Sequence, residues 1–478
     1  MSQRGSTAYR VAVSITESGL PPHDRRPIVI ASNRGPVTFR VADGAPVAGR
    51  GGGGLVAGLG SLGRTDEPVS WLAVAMSDGD RLVARAGPVE AEGFSVHLLE
   101  LDDEQHRLAY DVISNGTLWF LHHGLFDPTR TPSFDADWRA AWAAYRAVNQ
   151  RFADRLSTLA PDGATVLVQD YHLSLVGAML RSTRPDLRTV HFHHTPFAGV
   201  DELAMVPIVE RHELLAGLCG FDACGFHTDV WAARFTACVA ADPSLAIPDV
   251  FAAPLNVHAA ALRERAAADD VEVAVERLRS AIGDRRFMVR VDRIELSKNL
   301  LRGFEAYEEL LEAHPEHRGA VIFGAFCYPS REGVPEYARY RREAEAMVNR
   351  INDAFGTADW TPVLWETHDD YPRSLAALRL AEVLIVNPIR DGLNLVAKEG
   401  PLVNDRSVRL VLSEHAGSVR TLGDWAQVIN PFDVSATADA MHDALTLSAD
   451  QRSAHFERLV AAIETTTPED WLRAQIGR

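Results

Sequence analysis

The stretch Val383 to Glu399, VLIVNPIRDGLNLVAKE, places an arginine, a carboxylate and a glycine between a short apolar run and a helical segment. Asp391 stands at the mouth of that loop, where its carboxylate can accept hydrogen bonds from a sugar hydroxyl. Gly392 lets the backbone approach a ligand where a Cβ would intrude. A helix is expected to open near Asn394, so the backbone of Asn394, Leu395 and Val396 would offer unpaired N–H groups to an anion. Glu399, one to two turns on, comes within reach of a ribose lying over the helix start. The same pattern also describes an ordinary βα turn.

Other stretches carry compatible chemistry. In Val291 to Asn299, VDRIELSKN, Arg293 and Lys298 could hold a diphosphate, the guanidinium through two oxygens and the ammonium as a point charge. Fixed cations beside a leaving phosphate would lower the barrier to its departure. Read alone, they are equally a surface pair on a βα loop. Adjacent His193 and His194 suggest a metal, but neighbouring side chains on a strand point to opposite faces, which makes His193 structural. The Tyr110 phenol and Trp119 indole, nine residues apart in YDVISNGTLW, can both donate to phosphate oxygens, although most such residues are core. The glycines before Leu55 form a flexible turn or a loop shaped to lie against a ligand.

These residues need a scaffold that brings them together. From residue 164 onward, short β-rich runs alternate with helical periods, and a new series begins after about Asn256. Alternation of this kind implies parallel sheets with right-handed crossovers, here in two doubly wound α/β domains. The expected division is a tail at 1–26, a first domain at 27–256, a second at 257–445, and C-terminal helices at 446–478 that can pack on either. Trp138, Trp142, Tyr145, Val148, Phe152 and Leu156 recur at steps of three and four and mark a core-facing helix stripe. Ligands of parallel sheets bind beyond the carboxyl ends of the strands. Arg34, Asp170, His194, Arg293, Arg331 and Asp391 each stand at or just after such an end, which favours one cleft between the domains.

Composition narrows the classes. The chain has 478 residues, a net charge of −17 and 46% hydrophobic residues. That charge argues against a nucleic-acid partner or an anionic membrane surface, and confines any anion site to a local basic pocket. No apolar run reaches the ~18 residues of a spanning helix, and the N-terminus lacks a signal-peptide core. Cys219, Cys224, Cys238 and Cys327 have no zinc spacing, so reduced thiols in a cytoplasmic protein are expected.

RDGLNLVAKE resembles the nucleotide-sugar motif of the trehalose-6-phosphate synthase family, retaining glycosyltransferases of GT-B architecture with two facing Rossmann-like domains and the active site between them. The resemblance implies that Arg293 and Lys298 hold the donor diphosphate and that Gly54, Asp391, Gly392, Asn394, Leu395, Val396 and Glu399 line the donor site. It implies further that His194 contacts the donor sugar and Asp170 the acceptor. Arg34, Arg331, Tyr110 and Trp119 would hold the acceptor phosphate. Ala198 replaces the family's usual proline, and Gln169 replaces its commoner histidine. The reaction implied is glucosyl transfer from a nucleoside-diphosphate glucose to glucose 6-phosphate by front-face attack, with His194, Asp391, Arg293 and Lys298 as the catalytic set. No cofactor and no metal are expected, and the partners are small-molecule substrates, with a homo-oligomer left open. A related branch joins a nucleotide-cyclitol to an amino-cyclitol phosphate, and a silent sugar-phosphate sensor is the reading from another class. Near the donor base the chain reads Glu366 to Tyr371, ETHDDY. A carboxylate from Asp369 or Asp370 could accept the adjacent N–H donors of guanine, whereas uracil presents one donor between two carbonyls. The same carboxylates could instead cap the following helix.

Overall fold

The computed structural model describes residues 26–478 apart from 43, 51–53, 61, 65–68 and 332. The expected tail up to residue 25 and three of the glycines before Leu55 lie outside the described residues. Gly54 itself opens a short helix, Gly54–Leu59.

Two parallel sheets organise the chain. The first has eight strands in the order Asp249–Ala252, Ala223–Phe226, Arg188–His193, Thr165–Gln169, Ile28–Ala31, Val69–Val74, Phe94–Leu99 and Val89–Ala91, the last antiparallel to its neighbour. The second has six, in the order Val363–Glu366, Val321–Pro329, Arg286–Ile294, Val383–Val386, Arg409–Ser413 and Gln427–Ile429. Central strands such as Thr165–Gln169 and Val383–Val386 are buried along their whole length, because helices cover both faces. The Val69–Val74 and Phe94–Leu99 strands were not foreseen from the sequence.

The tryptophan stripe lies on helix Ala136–Leu159, with Trp138, Trp142, Tyr145, Val148, Phe152 and Leu156 all buried. Each sheet has a hydrophobic core of its own. The chain then returns across the junction. Asn256 donates to Ile463 O and Thr466 O at 2.6 Å each, and holds the segment that leads into helix Pro468–Ile476. That last helix packs on the first domain, with Trp471 edge-on to Phe192 at 5.1 Å. Among the described residues, no helix is long and apolar enough to cross a membrane.

Candidate active site

The carboxyl ends of the two sheets face each other, and the candidate residues occupy the loops that leave them. On the second domain, the Lys298 ammonium sits 2.7 Å from Asp391 Oδ2 and 3.8 Å from Asp292 Oδ1. Asp391 also accepts from the backbone N–H of Leu393 and the amide of Asn394, both at 3.2 Å. Burial alone would raise the Asp391 pKa, but the Lys298 charge and hydrogen bond outweigh it and hold the carboxyl at about 2. Asp391 is therefore ionised at neutral pH and serves as an acceptor, not as an acid.

The helix beyond it begins at Val396, two residues later than its pattern suggests. Asn394, just before the N-cap Leu395, adopts φ +73°, and its side-chain oxygen accepts from Ala397 N–H at 3.2 Å. Glu399 lies in the first turn, and burial pushes its carboxyl up to about 7.

Glu295 ties the two arginines together. It is fully buried, and its Oε1 lies 2.9 Å from Arg293, 3.1 Å from Arg331 and 2.9 Å from the Ser330 hydroxyl. Arg331, at φ +51°, also donates to Tyr337 Oη at 3.0 Å, and its Cζ sits over the Trp119 ring, 3.5 Å from the centroid. One buried carboxylate thus aligns a cation beside Lys298 with a cation facing the other domain.

On the first domain, Arg34 donates to the Tyr110 phenol at 3.3 Å. Tyr110 stacks between His106 and His172, with centroids at 5.2 and 5.7 Å. Trp119 is 7% exposed, and among the described residues its indole N–H has no partner. The spacing of Tyr110 and Trp119 has a structural cause. Residues Leu108–Leu118 wind as a π-helix, with Ser114 Oγ and Thr117 Oγ1 each 2.9 Å from the carbonyl five residues back. At about 3.6 residues per turn, nine residues would set the two rings on opposite sides of an α-helix. The wider i→i+5 winding makes nine residues close to two turns, so both rings turn toward Arg331.

Asp170 and His194 follow neighbouring strands. Asp170, at φ +72°, accepts from His194 N–H at 3.2 Å, and burial pushes its carboxyl up to about 6. The His194 Nε2 lies 2.9 Å from Gln169 Oε1, and burial lowers the imidazole to about 3, so it is neutral.

The two halves close on one another at Gly392. A Cβ there would fall 2.0 Å from the His194 carbonyl oxygen, so only glycine permits this approach. Trp231 donates to Gly392 O at 3.0 Å, and Arg390 pairs with Glu202 at 2.9 Å, both across the cleft. The cleft thus gathers Arg34, Tyr110, Trp119, Asp170 and His194 opposite Arg293, Lys298, Arg331 and Asp391.

The acidic pair splits. Asp370 is the N-cap of helix Tyr371–Leu380, its Oδ1 3.0 Å from Arg373 N–H, which corrects the expectation that it faces the base. Glu366 pairs with Arg373 at 2.5 Å. Asp369 lies near Tyr328, which feels its charge together with that of Arg293. Sequence reasoning missed Glu295, although it stands inside the VDRIELSKN stretch, and it missed Gln475, which has no local signal.

The family model described as glycosyltransferase family 20 matches residues 27–478. A trehalose-6-phosphate synthase of Mycobacterium avium is 32% identical over 473 residues, covering 93% of this chain and 94% of that protein. A bifunctional trehalose-6-phosphate synthase/phosphatase of Thermoproteus tenax is 33% identical over 376 residues, and the matched region spans 50% of its length and 75% of this chain. Among solved structures, an α,α-trehalose-phosphate synthase (UDP-forming) of Burkholderia xenovorans in complex with glucose-6-phosphate superposes with a TM-score of 0.82. It is 27% identical, with 94% of this chain and 98% of that one covered. Two facing α/β domains with a charged cleft between them, and a match along the whole described chain, place this protein in glycosyltransferase family 20, the trehalose-6-phosphate synthase family.

Proposed function

We propose that this enzyme transfers glucose from a nucleoside-diphosphate glucose to glucose 6-phosphate, with retention, to form α,α-trehalose 6-phosphate. The observation that carries the reading is the buried Glu295, which pairs with both Arg293 and Arg331. Two anion sites then share one cleft, as a transfer between a diphosphate sugar and a sugar phosphate requires. Arg331, Arg34, Tyr110 and the unpartnered indole N–H of Trp119 supply donors for the acceptor phosphate. Arg293 and Lys298 take the donor diphosphate and do the work a metal would otherwise do.

Asp391 is held ionised and His194 neutral, so neither suits a proton-transfer couple at neutral pH. In the proposed step the C1–O bond to the diphosphate breaks and the acceptor hydroxyl oxygen bonds to C1 on the same face. Its proton passes to the departing phosphate. Orientation and fixed charge supply the rate.

Asp369, the acid of the pair that does not cap the helix, favours a base edge rich in N–H donors. GDP-glucose is accordingly expected to serve at least as well as UDP-glucose. A turnover assay with glucose 6-phosphate and both donors, read by the mass of the disaccharide phosphate, tests both parts. No product from either donor overturns the reaction, and a tenfold preference for UDP-glucose overturns the role of Asp369. Product only from a nucleotide-cyclitol would move the chain to the pseudo-glycosyltransferase branch.

A further inference from the structure

Gln169 stands beneath His194 and joins it to the far end of the chain. Its side-chain oxygen lies 2.9 Å from His194 Nε2, and its nitrogen donates to Gln475 Oε1 at 3.0 Å. Both glutamines are fully buried. Gln475 belongs to helix Pro468–Ile476, and Trp471 of the same helix lies 5.8 Å from the His194 ring. The rings of Phe192 and His227 close two more sides at 5.0 and 5.1 Å.

The orientation of the two carboxamides sets what each atom does. Gln475 presents its oxygen, so Gln169 turns its NH2 toward it and its own oxygen toward the imidazole. An amide oxygen only accepts, so the imidazole nitrogen facing it carries a proton. A neutral imidazole has one ring proton, which leaves Nδ1 as a lone-pair acceptor.

We infer that Gln169 and Gln475 form a positioning relay, by which the C-terminal helix fixes His194 in the Nε2–H tautomer and leaves Nδ1 to accept a hydrogen bond from substrate. The last helix thereby becomes part of the site. The catalytic consequence rests on the proposed glucosyl transfer; the tautomer does not.

The test is ring-15N histidine NMR of the full chain, with the His194 signals assigned by their loss in His194→Gln. The expected result is a directly bonded proton on Nε2 and an unprotonated shift for Nδ1. Gln169→Met removes the acceptor at similar volume, and Gln475→Met frees the Gln169 amide to turn over. Both should mix the tautomers and lower kcat by about tenfold or more, as loss of alignment does, with both KM values little changed. Gln475→Glu keeps the one atom the relay uses, since the Gln475 Nε2 has no partner among the described residues, and should restore the single tautomer. A proton on Nδ1 in the unmodified protein overturns the relay, whatever the variants do. So does an unchanged tautomer in Gln169→Met. If the unmodified protein turns over neither donor but shows the Nε2–H tautomer, the functional reading fails and the relay stands.

Discussion

The two halves of the cleft bury polar groups in opposite ways. On the second domain several buried charges are paired: Lys298 with Asp391 at 2.7 Å, Arg290 with Asp292 at 2.9 Å, and Glu295 with two arginines. On the first domain, His122, His123, His172, His191 and His194 are each lowered to about 3 by burial, and are neutral. A buried charge persists only where partners offset its desolvation, whereas a neutral imidazole avoids that cost. The paired charges around Lys298 and Glu295 are therefore a fixed electrostatic frame, whereas the buried histidines of the first domain are where acid acts.

Acid should give the largest effect. An imidazole with an ordinary pKa of 6.5 that is held at about 3 in the folded state stays neutral while the unfolded chain takes up its proton. Stability is then complete above 6.5 and lost as pH falls from 6.5 toward 3. Each such group costs about 1.4 kcal/mol per pH unit across that window. Hydrogen exchange at falling pH should show the first domain opening before the second. Simultaneous opening would break the contrast between the halves.

Next in size is the reacting centre. Asp391→Ala should lower kcat by about 10²-fold or more, as expected for a group aimed at developing charge. Its effect on acceptor KM should be small, and near-normal turnover would return the motif to a structural βα turn. Arg331→Ala should raise the KM for glucose 6-phosphate by roughly ten- to a hundredfold, the equivalent of a charge-assisted hydrogen bond worth about 1.5–3 kcal/mol. Donor KM should hold, and an equal rise in both would show that Glu295 couples the two sites more tightly than the separate halves imply.

The acidic pair offers the smallest and sharpest contrast. Asp370→Ala should cost about 1 kcal/mol of stability through the lost cap, with donor preference unchanged. Asp369→Ala should leave the melting temperature alone and shift the ratio of GDP-glucose to UDP-glucose use. The reverse outcome would exchange their roles.

Much of this was legible in the sequence, for physical reasons. The apolar runs VLIVN and TVLVQD are strands buried on both faces, which carry an unmistakable pattern. The residues at their ends are loop-borne and polar, so Asp391, His194 and Asp170 stood out. The start of the helix at Val396 did not, because Asn394 takes a left-handed turn that leaves no mark beyond a residue tolerant of it. The π-helix at Leu108–Leu118 was hidden as well, since i→i+5 winding is rare and has no distinctive periodicity at this length. Gln475 was the least visible. Its contact with Gln169 spans most of the chain, and only the return of the last helix brings the two together. The cap at Asp370 was visible as one of two alternatives, and local geometry decided between them.

The central claim is that two phosphate-binding sites share one cleft. It is tested most directly by kcat/KM for glucose 6-phosphate against that for glucose, with the same nucleotide-glucose donor. With Arg34 and Arg331 both contacting the acceptor phosphate, the account predicts a preference for glucose 6-phosphate of at least about 10²-fold, since each charge-assisted contact is worth about 1.5–3 kcal/mol. Equal use of the two acceptors would contradict it.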